Sequence, residues 1–239
     1  MELHILFYQP QDGYRYNSDS LFLYNFISKL LPKGKVLDVG AGSGILGLLV
    51  ARDHHRVQLE AVEKQEVFQF LSQKNAEINK INYTLHCGDF LHHSFEKSYY
   101  EYVISNPPFY HDGNSKSENE IIHNARYSEH LPLKAFFEKV APLLKPQGHF
   151  VFCYDPQMFQ EICTELLAVK LRVVDVQFVY PKKEKKASLV MIHARKSSKS
   201  MMTVMKPFIA FENAQNYEFS QDALDVYSQA RTHSIKCKI

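Results

Sequence analysis

Lys35-Val36-Leu37-Asp38-Val39-Gly40-Ala41-Gly42-Ser43-Gly44 is an apolar run that ends in an acid and three alternating glycines. Residues 35–39 predict a strand, the glycines a tight turn, and the apolar-periodic residues 45–51 a helix folded back on the strand. Glycine at 40, 42 and 44 lets backbone approach a ligand at the helix start, where a Cβ would stand in the ligand's place. Taken alone, such a loop suits a dinucleotide as well as any other nucleoside-bearing cofactor.

Working outward, residues 57–62 form a second strand candidate closed by Glu63. Residues 67–79 follow as a helix, with Phe68, Leu71, Asn75 and Ile78 near the 3.6-residue period. Residues 83–86 and 102–105 read as further strands. The second ends at Asn106-Pro107-Pro108-Phe109, where two prolines stop regular pairing. A helix over 133–144, a turn at Pro146-Gln147-Gly148, a strand over 150–154 and a helix over 159–169 come next. Strands over 171–180 and 187–194 flank a lysine-rich connection and predict an antiparallel hairpin. The pattern is α/β: a Rossmann-like, mostly parallel open sheet with a C-terminal antiparallel hairpin. With 239 residues, 45% of them hydrophobic, one core is expected. It divides into an N-terminal cofactor-covering segment (1–34), a catalytic core (35–197) and a C-terminal extension packed on that core (198–239). Residues 106–130 are long for a connection and form a candidate substrate lid.

A net charge of +2, from 28 basic and 26 acidic side chains, does not by itself announce a nucleic-acid binder. Between 182 and 199, however, Lys182, Lys183, Lys185, Lys186, Arg195, Lys196 and Lys199 face one acid, Glu184. That local excess suits a long anionic partner or an ordinary solvated loop. The cysteines have neither disulfide nor metal-ligand spacing, and Cys87 and Cys153 read as core thiols. No export signal and no long uncharged apolar stretch is found, so a cytoplasmic location without membrane contact is expected.

Candidate ligand-binding residues follow from the strand ends. Asp38 is positioned to organise the loop amides and to face the ammonium end of a methionine moiety. Glu63, 19 positions after Gly44, suits ribose hydroxyls, which both NAD and S-adenosylmethionine present. Asp89 can accept from an adenine amino group or cap a turn, and Phe90 can offer an apolar face or belong to the core. Asp19 encloses the cofactor or caps a helix over 21–31. The Gly-Lys-Ser/Thr run of a nucleoside triphosphatase is missing.

At the acceptor motif, the Asn106 side-chain oxygen and the Pro107 carbonyl offer two acceptors to the hydrogens of a planar amine, with Asn106 bordering the cofactor as well. Held so, the nitrogen lone pair faces an electrophilic methyl group, and a proton leaves only after the nitrogen becomes cationic. Positioning, not a strong base, then drives the step. Phe109 or Tyr110 can stack on a planar acceptor, which suits adenine better than a flexible lysine. Methylation at C5 of a pyrimidine would need a nucleophilic cysteine, and neither Cys87 nor Cys153 falls at this motif in the sequence.

Together these segments resemble the class I S-adenosylmethionine-dependent methyltransferases that carry the Asn-Pro-Pro-aromatic motif. The resemblance implies S-adenosylmethionine as cofactor, Asn106 and Pro107 as amine-binding catalytic positions, and Phe109 as the stacking ring. A narrower resemblance is to the bacterial transfer-RNA methyltransferases that act on N6 of the adenine beside the anticodon of a valine-accepting transfer RNA. It is carried by Gln9-Pro10-Gln11-Asp12-Gly13-Tyr14-Arg15-Tyr16, by Asp19 and Leu21, by Asn124-Ala125-Arg126-Tyr127 and by Asn216-Tyr217. It implies a tRNA partner and a monomeric enzyme. Tyr110, Arg126, Lys182, Lys183, Lys185 and Lys186 are then the substrate contacts. Protein glutamine methyltransferases and ribosomal-RNA guanine methyltransferases share the motif, but they usually carry an extra domain for which little room is left here. A non-catalytic Rossmann-like binding module is the alternative from another class.

Overall fold

The computed structural model describes residues 4–11, 16–107, 131–212 and 218–238. Along the chain these are β1 (Ile5–Pro10), α1 (Ser18–Ser28), β2 (Gly34–Val39), α2 (Ile45–Asp53), β3 (Val57–Glu63), α3 (Glu66–Ile78), β4 (Tyr83–Cys87) and β5 (Tyr100–Ser105). Then come α4 (Leu133–Leu143), β6 (Leu144–Tyr154), α5 (Phe159–Ala168), β7 (Leu171–Lys182), β8 (Leu189–Lys196), β9 (Thr203–Val204), β10 (Phe208–Phe211), α6 (Gln221–Ala230) and β11 (Thr232–Cys237).

The main sheet has the order β10-β7-β8-β6-β5-β2-β3-β4, with β9 also paired to β7. Pairing is parallel from β4 through β6, and β8 runs antiparallel between β6 and β7. The carboxyl ends of β2 to β7 therefore share one edge. Chain order reverses beside β2, which has β3 on one side and β5 on the other, and ligands settle at such a point. The central strands are apolar because helices cover both faces: Val36, Leu37, Val103, Ile104, Phe150 and Phe152 are fully buried.

Three local differences from the sequence reading have physical causes. Pro146-Gln147-Gly148 does not separate a turn from a strand. Instead, β6 runs through it with a bulge, since from Tyr100 to Tyr102 β5 advances two residues while β6 goes from Leu144 to His149. Helix α1 starts at Ser18, capped by Asn17, whose side chain accepts from the Asp19 amide. The cap therefore belongs to Asn17, and Asp19 lies in the first turn.

The third difference is the pairing of the termini. β1 and β11 form a parallel two-stranded sheet, from Ile5 opposite Thr232 to Pro10 opposite Cys237. The other edge of β1 is met by side chains of α3 and of Asn79, its C-cap. Leu6 N donates to Asn79 Oδ1 (2.9 Å) and Asn79 Nδ2 to Leu6 O (2.7 Å), while Tyr8 N donates to Asn75 Oδ1 (2.7 Å) and Asn75 Nδ2 to Tyr8 O (3.1 Å). Four residues of helix rise about 6 Å and two of strand about 6.6 Å, so carboxamides spaced i, i+4 match strand residues spaced i, i+2. The same Asn75 Nδ2 donates to Ser43 O at 2.8 Å, tying this terminal sheet to the glycine loop.

Candidate active site

A small cleft lies at the order reversal. Its walls include Asp38, Gly40, Gly42 and Ser43 of the glycine loop, Tyr16 and Ser20 from the N-terminal segment, and Asn106. Tyr16 is fixed there by its amide donating to Gln9 Oε1 (3.1 Å) and by its hydroxyl meeting Ser234 Oγ of β11 (2.9 Å).

Gly40 and Gly42 have φ of +69° and +55°, and a Cβ on either would meet nothing within 4 Å. Both glycines face open space, and it is the left-handed backbone that demands glycine here. Loop shape is kept by the two acids. Glu63, at the end of β3, accepts from Gly42 N and from Gln65 N, each at 2.8 Å. Asp38 accepts from Gly47 N at 2.9 Å, and a Cβ on Gly47 would come within 2.9 Å of both Asp38 Oδ2 and Leu59 Cδ1. Gly47 is thus a residue of the site that the sequence reading missed, although a glycine inside a helical pattern was the available signal. Burial pushes the Asp38 carboxyl up to about 7 against the Gly47 hydrogen bond, with the Glu63 charge adding to the rise. Burial likewise raises Glu63, opposed by its backbone donors.

Across the cleft, Ser105 Oγ donates to Val39 O at 2.7 Å and ties the end of β5 to β2. Asn106 follows directly. Its Nδ2 donates to Ser20 Oγ at 2.9 Å, and its Oδ1 accepts from the Cys153 thiol at 3.0 Å. Because Phe152 is opposite Ser105 in the β5–β6 pair, Cys153 arrives at the height of Asn106. This corrects the placement of Cys153 away from the acceptor motif: it is buried, as read, but it touches the motif's asparagine. Burial, with the nearby Asp19 charge, holds its thiol well above the ordinary range. It is therefore a neutral donor and not the thiolate that C5-pyrimidine methylation requires. Cys87, also read as a core thiol, is exposed. Pro107 is buried next to Asn106, while Phe109, Tyr110 and Arg126 lie outside the described residues.

Residues 16–162, more than half of the chain, match the methyltransferase small domain family. The chain belongs to that family. Among curated relatives of this methyltransferase are the tRNA1(Val) (adenine(37)-N6)-methyltransferases of Christiangramia forsetii, 30% identical over 48% of this chain and 49% of the relative, and of Serratia proteamaculans, 32% identical over 48% and 46%. The chain thus spans about half the length of these relatives. A predicted O-methyltransferase from Agrobacterium tumefaciens superposes with a TM-score of 0.69 over 92% of this chain and all of that one, at 15% identity. That likeness shows the fold, a Rossmann-like class I methyltransferase sheet with its antiparallel hairpin next to the β10 edge strand.

Asp89, Phe90 and Asp19 are not among the residues that line the cleft. Asp89 follows β4 and accepts from Lys64 Nζ (3.0 Å) and Leu91 N (2.9 Å). Burial opposes its ionisation, but Lys64 and Leu91 outweigh that and hold it below its ordinary value. Phe90 is 5% exposed and packs against Phe95 and Phe136, with ring centroids at 5.7 and 5.8 Å. Asp19 is raised by burial, partly offset by the Asn17 side chain, and lies between the wall residues Tyr16 and Ser20.

The basic hairpin lies on the same edge of the sheet as Asn106, because β7 runs parallel to β5 and β6. Through β8, Gln177 is level with Cys153, so Lys182 stands roughly 16 Å further along the strand. Lys183, Lys185 and Lys186 are exposed and Lys182 is half-buried. Among the described residues, no helix is long and apolar enough to cross a membrane.

Proposed function

We propose that this protein transfers a methyl group from S-adenosylmethionine to the exocyclic N6 amine of adenine in tRNA, at the position beside the anticodon of a valine-accepting species. The observation that carries the reading is that one cleft joins the glycine loop, with open space at Gly40 and Gly42, to the Asn106 carboxamide. The activity named for the relatives supports the choice of acceptor.

The cleft fits this cofactor better than a dinucleotide. Asp38, buried beside the loop, disfavours a pyrophosphate and favours a cationic amino-acid end, while the open Cβ directions at Gly40 and Gly42 leave room for it. When bound, S-adenosylmethionine supplies a methyl group made electrophilic by a sulfonium. Asp38 receives the ammonium, and the loop through Gly44 presents backbone to the amino-acid end. Glu63 accepts from the ribose, and Asp89 with Phe90 borders the adenine. Asp19 closes the N-terminal side.

Asn106 Oδ1 and the Pro107 carbonyl hold the two hydrogens of the target amine and so direct its lone pair into the cleft. Phe109 and Tyr110 stack against the base. Arg126, Lys182, Lys183, Lys185 and Lys186 meet RNA phosphates, the hairpin lysines from their place on the shared sheet edge. The enzyme acts as a monomer in the cytoplasm, with residues 1–34 covering the cofactor and residues 198–239 bracing that cover through β11.

The test is to give the purified protein radiolabelled S-adenosylmethionine with total tRNA, ribosomal RNA or a protein extract, and to identify the labelled residue after digestion. Label recovered as N6-methyladenosine from tRNA is the expected result. Label in protein glutamine or in ribosomal-RNA guanine would replace the reading by those acceptors, and no transfer to any of them would leave a binding module.

A further inference from the structure

We infer that Ser20 and Cys153 clamp the Asn106 carboxamide so that its oxygen faces the acceptor, and that Cys153 is the positioning residue that decides the orientation. The inference rests on the reading of Asn106 as the amine-binding residue.

The two ends of a carboxamide are nearly the same shape, yet one accepts and the other donates. Turned by 180°, Asn106 would present N–H bonds to an amine that itself must donate, and the acceptor would lose its grip. Something in the cleft must choose between the two. Ser20 Oγ accepts from Nδ2 at 2.9 Å, but a hydroxyl also donates, so Ser20 alone tolerates either orientation. Cys153 does not, because a thiol is a weak donor and a poorer acceptor, and the neutral form is enforced by complete burial. Its S–H donates to Oδ1 at 3.0 Å. In the turned state the amide N–H groups would meet sulfur instead.

An sp² oxygen has two lone pairs, so the bond from Cys153 leaves the other for the substrate. Both clamp residues are buried, Ser20 at 2% exposure and Cys153 at 0%, which limits replacement of either contact by water. Their elements are independent: Ser20 belongs to α1, Cys153 to β6 and Asn106 to the end of β5. The Phe152–Ser105 register sets the height at which thiol and carboxamide meet.

The test compares Cys153→Ala, which deletes the donor, with Cys153→Ser, which keeps one. Three quantities are measured: kcat and KM for the RNA, cofactor affinity, and the nitrogen and proton signals of the Asn106 side-chain amide by NMR. Loss of one neutral hydrogen bond predicts that Cys153→Ala lowers kcat about three- to tenfold, with cofactor affinity unchanged, while Cys153→Ser, whose hydroxyl can donate to Oδ1 but can also accept from the turned amide, restores kcat only in part. The Asn106 amide signals should shift in the alanine variant and move back toward their wild-type positions in the serine variant. Equal losses in both variants would assign Cys153 to packing and overturn the inference, as would an unchanged kcat in Cys153→Ala. Should the wild type methylate no RNA adenine, the proposed function fails by itself. The clamp then stands or falls on the NMR signals, and unmoved signals in Cys153→Ala overturn it.

Discussion

One wall of the cleft is a single stretch, residues 38–47, that offers mostly backbone held in shape by Asp38 and Glu63. The facing wall offers the side chains of Ser20 and Asn106, from a helix and the end of a strand, with Cys153 of a second strand buried behind Asn106. The first wall is local in sequence, built on glycines and buried acids, and suited to a ligand shared by many acceptor chemistries. The second exists only once β6 has paired with β5 and α1 has packed above them. The contrast teaches that cofactor binding and acceptor choice can be perturbed separately, and each prediction below is a way to break or sharpen that separation.

The largest effect is expected from Asn106→Ala. Removing a group aimed at the reacting amine should lower turnover by roughly 10²–10³ while leaving cofactor affinity nearly intact, as measured by single-turnover transfer and calorimetry. A matching loss in both would merge the two walls into one unit.

Glu63→Ala should do the reverse. It frees the Gly42 and Gln65 amides and removes a ribose acceptor, so the cofactor Kd should rise roughly 10- to 100-fold, with kcat at saturating cofactor little changed. Calorimetry that finds unchanged affinity would remove Glu63 from the binding wall.

A smaller effect should appear in pH dependence. Asp38 has its carboxyl raised from 3.8 to about 7 in the folded protein, so the protonated form is preferred there. Its contribution to stability is therefore greatest below 3.8 and falls as pH rises toward about 7, because the folded state holds the proton that the unfolded state has released. A cationic ligand end needs the ionised form. Cofactor affinity should thus weaken as pH drops below about 7, by at most about tenfold per pH unit, and Asp38→Asn should flatten that profile. A wild-type profile that is already flat would place the ammonium elsewhere.

The smallest effect on chemistry is expected from neutralising Lys182, Lys183, Lys185 and Lys186 together. kcat at saturating RNA should change little, whereas binding should weaken and its dependence on log salt should shallow by up to about 3. An unchanged salt slope would make the hairpin an ordinary solvated loop.

The sequence was most legible where chemistry and backbone are contiguous. The glycine loop, the strand-closing Glu63, the Asn106–Pro107 step and the antiparallel hairpin could each be read from a few adjacent residues. Tertiary pairing hid the rest. Nothing near Cys153 in sequence points to Asn106, because their contact depends on the β5–β6 register and on the bulge at residues 146–148. Asn75 and Asn79 look like ordinary positions on a helix until β1 lies beside them. The pairing of β1 with β11 joins residues more than two hundred positions apart and has no local signature.

The central claim is that the acceptor is N6 of the adenine beside the anticodon, and it is tested most directly with two valine tRNA transcripts that differ only there, one with adenine and one with guanine. The account predicts methyl transfer to the first and none to the second. Equal labelling of both, or labelling of neither while another RNA or a protein is methylated, would contradict it.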